Sequence, residues 1–161
     1  MNLQKEGRMK ILVGVNDSKD SQDVARWAIN FASQEKDSEV TLVFAEKRMP
    51  FVSYEDITDD QLMALAQVDG EMIFEKCLKG LDTKGVIIHE KIVLGDPSTE
   101  ILKIAKEEKV DFIALGTRAL SPVCKMFMCS VSERVIKKST IPVIINRFPF
   151  ESEKILQTAN T

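Results

Sequence analysis

Two stretches of the chain carry residue types whose spacing suits chemistry. The first, Asn16 to Ser21 (NDSKDS), follows an apolar run and opens a helical pattern. It supplies short oxygen-bearing side chains at a helix start, where unpaired backbone N–H groups and the helix dipole favour an anion. In the second, Gly116-Thr117-Arg118 leaves a later apolar run, and Cys129-Ser130-Val131-Ser132 enters the last helical pattern. Together the two stretches suit a phosphate and a sugar. A plainer use stands beside this one, because Ser18, Asp20 and Ser130 are preferred N-cap types worth about 1 kcal/mol each without any ligand. Gly116 could likewise only permit a turn. Arg118 and Lys125 would add positive charge near a phosphate or serve as solvated surface charges. Val123, Met126, Phe127 and Met128, between the two halves of the second stretch, suit a partner surface, a lid, or loop residues packing back on the domain.

Other chemistries find little support. There is no Ser-His-acid set, no metal-ligand cluster and no Walker-type G-x-x-x-x-G-K, so neither catalytic nor metal-ligating residues are expected. The single histidine, His89, lies in a β-branched run and reads as a strand-face residue. Cys77, Cys124 and Cys129 are odd in number and form no C-x-x-C pair, which suggests neither a disulfide framework nor a zinc site. Cys124 and Cys129 sit close to a helix start, where a thiol pKa tends to fall; burial is the commoner alternative.

Charge and composition narrow the class further. The 161 residues carry a net charge of -3, with 44% hydrophobic and 29% charged residues. That balance fits a globular domain, and without a basic stripe no nucleic-acid partner is expected. The polar opening MNLQKEGRMK is unlike a signal peptide, and no window reaches the roughly 18 apolar residues of a membrane span. A cytoplasmic protein without membrane association is the expectation.

These residues need elements to position them. Five apolar runs read as strands: Ile11 to Val15, Val40 to Ala45, Val86 to Val93, Asp111 to Leu115 and Ile141 to Ile145. Four are nearly continuous, as strands buried on both faces are. Between them lie helical faces: Val24, Trp27, Ala28 and Phe31; then Leu62, Ala66, Ile73, Cys77 and Leu81, interrupted by Gly70; then Ile101, Leu102 and Ala105; and finally Val131 and Val135. Thr58 with Gln61 and Ser130 with Glu133 have capping-box spacing, and Asp96 precedes Pro97 as an N-cap precedes a first-turn proline. Alternating β and α predicts one α/β domain, a doubly wound five-stranded parallel sheet of order 3-2-1-4-5 with helices on both faces. Ligands on such sheets sit where the strand order reverses, here between strands one and four, and both chemistry-bearing stretches fall at that point. Long loops are expected over Lys47 to Ile57 and Thr117 to Cys129. The tail would form a short helix over Glu151 to Gln157 or fray.

At these residues the chain resembles the universal stress protein family. ILVGVNDSKDS resembles the family's opening V-D-x-S-x-x-S, VLGDP its third-strand exit, and LGTRALSPVCKMFMCSVSERVIKKSTIPVIINR its closing signature. That signature is G-x-x-G, nine residues, G-S or G-T, V-S-x-x-V, then a P-V-L-V-V-like strand; Gly116, Ser130, Val131, Ser132, Val135, Pro142 and Val143 match in register. The resemblance implies a Rossmann-like fold, similar to the adenine nucleotide alpha hydrolases, over residues 9–147, with an extension at 1–8 and a tail at 148–161. It implies an ATP or AMP pocket, with Mg²⁺ if the ligand is ATP, formed by Val15, Asn16, Ser18, Ala45, Leu115, Gly116, Thr117, Arg118, Ala119, Cys129, Ser130, Val131 and Ser132. A homodimer through the last strand is implied as well, at Pro142, Val143, Ile144, Ile145 and Asn146, unless the tail folds over that edge.

Three departures bear on the ligand. Ala119 and Cys129 replace family glycines, which admit positive φ or close backbone approach. Asn16 replaces the family's first acid and offers hydrogen bonds without charge. The expectation is a homodimeric stress-response binding module whose nucleotide pocket is partly degraded. The alternative is a nucleotide-independent module engaging unknown protein partners, and the three substitutions tilt affinity that way. Slow ATP hydrolysis is a weaker alternative.

Overall fold

The structure, a computed structural model, describes residues 8–47, 57–116 and 130–146. Nine elements follow in the expected order: β1 (Lys10–Val15), α1 (Lys19–Ala32), β2 (Ser38–Glu46), α2 (Asp59–Leu78), β3 (Val86–Leu94), α3 (Pro97–Glu107), β4 (Phe112–Gly116), α4 (Ser130–Lys138) and β5 (Val143–Asn146). The strands form one sheet of order β3-β2-β1-β4-β5, all neighbours parallel. Register is pinned at the centre, where Ile11 lies between Val40 and Phe112.

Strand alternation explains the two cores. Ile11, Val13 and Val15 point to the face packed by α1 and α2, with Val24, Ala28, Ile29, Ala66, Ile73 and Phe74. Leu12 points to the other face with Val43, Ile113, Leu115, Ile101, Ile104 and Val135, packed by α3 and α4. Each large aliphatic buried in this way contributes roughly 1.5–3 kcal/mol over remaining exposed. Trp27 and Phe31 on α1 stack with centroids 5.3 Å apart.

The caps behave as their residue types require. Thr58 accepts from Gln61 N, and the Gln61 side chain returns to the Thr58 backbone, completing the box at α2. Asp96 caps α3 with Pro97 at its start. At α4 Ser130 is itself helical, so it lies inside the helix rather than at the N-cap position its spacing to Glu133 suggested.

Three further local expectations are corrected. Gly70 does not interrupt the inner face of α2 but belongs to it: a Cβ there would lie 2.5 Å from Ile92 Cδ1. Leu81 lies past the end of α2 and packs half-buried against the core from the following turn. Of the runs read as buried on both faces, the last is not: β5, at one sheet edge, is half-buried throughout. At the other edge β3, whose run His89-Glu90-Lys91 interrupts, is also partly open, because two helices per side do not reach the full width of five strands. On the α3 side, Ile87 is exposed, and next to it runs a polar network rather than core. Thr41 donates to Glu108 Oε2 at 3.0 Å, Lys91 pairs with Glu108, and His89 Nε2 stands 3.2 Å from Glu39 Oε2. His89 is thus the strand-face residue expected. Burial pushes the Glu108 carboxyl up, but hydrogen bonds from Lys91 and Thr41 outweigh it, so its pKa is lowered overall.

Candidate functional site

The carboxyl ends of β1, β2 and β4 open onto a cleft of about 90 Å³ lined by Gly14, Val15, Asn16, Ser18, Asp20, Ser21, Val43, Ala45, Pro97, Ile101, Leu115, Gly116, Val131 and Ser132. It lies at the switch point between β1 and β4, as doubly wound sheets require. Helices α1, α3 and α4 all begin at its rim.

The wall after β1 is held by a compact hydrogen-bond set. Ser18, extended at φ -127° and ψ 155°, caps α1, and its hydroxyl accepts from Ser21 N at 3.3 Å. The Ser21 hydroxyl accepts from Asn16 N at 2.8 Å and donates to Asn16 Oδ1 at 2.8 Å. Ser21 is only 4% exposed, so this pair forms a fixed, nearly dry support for the exposed Asn16 carboxamide. Lys76 of α2 reaches Asp17 at 2.6 Å and ties the same loop to its neighbour helix.

Gly116, at the end of β4, has a different purpose from the turn suggested by its sequence position. A Cβ at Gly116 would meet the Asp20 carbonyl oxygen at 2.8 Å, and its φ is not in the left-handed region. The glycine lets the first turn of α1 lie directly against β4. Ser132 closes the opposite side by donating to Gly116 O at 3.4 Å.

Charge differs among the three helix starts. Helix α1 carries Asp20 in its first turn, on the cleft wall. At α3, Asp96 accepts from Ser98 Oγ at 2.5 Å and Thr99 N at 3.2 Å, and it pairs with Arg134 at 3.0 Å and Lys47 at 3.8 Å. The Ser98 hydrogen bond, opposed by desolvation and aided by the Thr99 backbone and Arg134, lowers the Asp96 pKa to about 2. Helix α4 has its acid, Glu133, paired with Lys137 outside the cleft lining, leaving Val131 and Ser132 to face the cavity. An anion therefore finds least opposing charge at α4. At the β2 exit Glu46 has a raised pKa, from burial and then from the nearby Asp69.

Eight of the residues expected from sequence line the cleft: Val15, Asn16, Ser18, Ala45, Leu115, Gly116, Val131 and Ser132. Thr117, Arg118, Ala119 and Cys129 lie outside the described residues, as do Cys124, Lys125 and the apolar set from Val123 to Met128; of Ser130 only the backbone is described. Asp20 and Ser21, within the stretch Asn16 to Ser21 but not singled out for the pocket, line the cleft too, and Gly14, Val43, Pro97 and Ile101 are lining residues that sequence reasoning does not find. Pro97 reads from sequence as a helix start and Ile101 as an apolar position on the α3 face; nothing in their spacing marks them as lining. Among the described residues no group of three or more His, Cys, Asp or Glu side chains is arranged to hold a metal.

The chain belongs to the universal stress protein family, whose family model matches residues 7–147. It is 32% identical over 141 residues to universal stress protein MJ0531 of Methanocaldococcus jannaschii, covering 87% of this chain and 82% of that protein. The solved structure of MJ0577, from the same organism, superposes with a TM-score of 0.73 at 28% identity, covering 88% of this chain and 96% of that one. A universal stress protein of Archaeoglobus fulgidus solved in complex with dAMP shares the fold, with a TM-score of 0.59 at 23% identity over 85% of this chain and 96% of that one.

Proposed function

We propose that this chain is a nucleotide-binding stress-response module that holds a phosphate at the start of α4 and a nucleoside against Val15, Asn16 and Ala45. The observation that carries this reading is the convergence of three helix starts on one cleft, with the first-turn acid of α4, Glu133, paired with Lys137 away from the lining and Val131 and Ser132 on it. The dAMP complex of a protein with the same fold supports an adenine nucleotide, ATP or AMP, as the ligand to try first, with Mg²⁺ accompanying ATP. Asn16, Ala119 and Cys129 in place of an acid and two glycines set its affinity below that of a site with the full family motif. A homodimer through β5 belongs to the same proposal: β5 ends the strand order, and its residues Val143–Asn146, three of them apolar, are only half-buried.

The test is calorimetric titration of the purified protein with ATP and Mg²⁺, after mass spectrometry of small molecules released on denaturation. Micromolar binding or co-purified adenine nucleotide supports the reading, and no binding up to millimolar nucleotide overturns it. One observation favours a nucleotide-independent binding module instead: the serines at the α1 start bond to one another and to Asn16, as pure helix caps do.

A further inference from the structure

We infer that the outer face of α2 is a docking surface for a basic amphipathic helix of a partner protein. A helix laid on a sheet needs one apolar face, and α2 supplies it with Leu62, Ala66, Ile73, Phe74 and Cys77, closed in by Gly70. Its opposite face is apolar as well. Of the five exposed large apolar side chains among the described residues, three are Leu65, Val68 and Met72, at 59%, 66% and 44% exposure. Positions i, i+3 and i+7 fall on one line along a helix, so these three form a continuous stripe about 10 Å long rather than scattered surface residues. Exposed Gln61, Glu75 and Lys79 extend the line at both ends, and the alternation of four and three residues is the seam on which a second helix packs. None of these residues lines the cleft.

Charge selects the occupant. The stripe is bordered by the exposed acids Asp60, Asp69, Glu71 and Glu75. Lys76, the only base within α2, is held by Asp17 at 2.6 Å, which leaves Lys79 at the C-cap as the sole base on the seam. The field of these acids is felt nearby: after burial, Asp69 is the second cause of the raised Glu46 pKa. A second copy of the chain is a poor occupant. The stripe is centred between Val68 and Asp69, so an antiparallel copy would set the two Asp69 side chains side by side, and a parallel copy would oppose every acid to itself. A helix carrying its own apolar stripe between lysines or arginines covers Leu65, Val68 and Met72 and answers the acids on both flanks. Met72 adds an unbranched side chain that adapts to the partner's shape.

The experiment measures fluorescence anisotropy of a labelled helical peptide of about 18 residues, the length of the seam, with leucines at the stripe spacing and lysines elsewhere. A second peptide carries glutamates in place of the lysines. The lysine peptide should bind the wild type in the micromolar range, and the glutamate peptide roughly tenfold or more weaker. The triple variant Leu65→Ser, Val68→Ser, Met72→Ser keeps every charge and should weaken the lysine peptide by roughly tenfold or more. The double variant Glu71→Lys, Glu75→Lys keeps the stripe and should also weaken it. All substitutions are on the surface, and thermal melts near that of the wild type confirm folding. Undiminished binding to either variant, equal binding of the two peptides, or no binding of the lysine peptide to the wild type at millimolar concentration overturns the inference. Sedimentation of the wild type and the triple variant decides the remaining occupant: self-association that the triple variant loses gives the face to a second copy and overturns the basic partner.

Discussion

Replacing Gly116 by alanine tests how α1 is seated against β4, because it adds a single methyl where the structure leaves none. The new Cβ would stand 2.8 Å from the Asp20 carbonyl oxygen, 2.9 Å from Asp20 Cβ and 3.0 Å from its carbonyl carbon. Comfortable carbon contacts lie nearer 3.5 Å, so the first turn of α1 must retreat by about half an ångström. Two of the three atoms are backbone, and no rotamer change can relieve them. The retreat would pull Ser21 from Asn16, loosening the 2.8 Å bonds of the cleft wall. Overpacking of this kind costs about 2 kcal/mol. Urea unfolding followed by circular dichroism should show the loss as a lower midpoint at unchanged slope. Gly80→Ala serves as the comparison: its φ is +74° with nothing within 4 Å, so only backbone strain, about 1 kcal/mol, is expected. If Gly116→Ala unfolds within about 0.5 kcal/mol of the wild type, the argument that this glycine exists for close approach fails.

Four more outcomes follow from the geometry. Asp96→Ala removes the α3 cap and the partner of Arg134 and should destabilise by about 1–2 kcal/mol in urea unfolding at neutral pH. Because folding lowers the Asp96 pKa from 3.8 to about 2, its contribution is complete above pH 4 and is lost as pH falls through about 2; the wild-type and Asp96→Ala stabilities should therefore converge in that window. Cys77 is buried, its thiol pushed up to about 11, so iodoacetamide at pH 8 should leave it unlabelled in the native protein and modify it in denaturant, as read by peptide mass spectrometry. Lys76→Ala breaks an ion pair whose partners are both exposed and should change stability by less than about 0.5 kcal/mol.

Strand order was legible in the sequence because alternating β and α segments with right-handed crossovers leave few topologies, and the capping residues fixed where α2 and α3 begin. What one-dimensional spacing cannot carry is which element a residue meets after a crossover. Gly70 looked like a break in an apolar face because spacing counts side chains; only β3 packing against α2, with Ile92 filling the space, shows that the missing Cβ is the fit. Gly116 looked like a turn residue for the same reason, since Asp20 lies almost a hundred positions earlier in the chain. The site shows the limit most plainly. Asn16 could be marked from its place after β1 and its lack of charge, which together suggested weaker binding. Its polarity could not, because that depends on Ser21 returning from the first turn of α1 to hold the carboxamide oxygen. The substitution of an acid by an amide removes a charge from the cleft wall, and the bond from Ser21 fixes which way the carboxamide oxygen points; the first was legible in the sequence and the second required the fold.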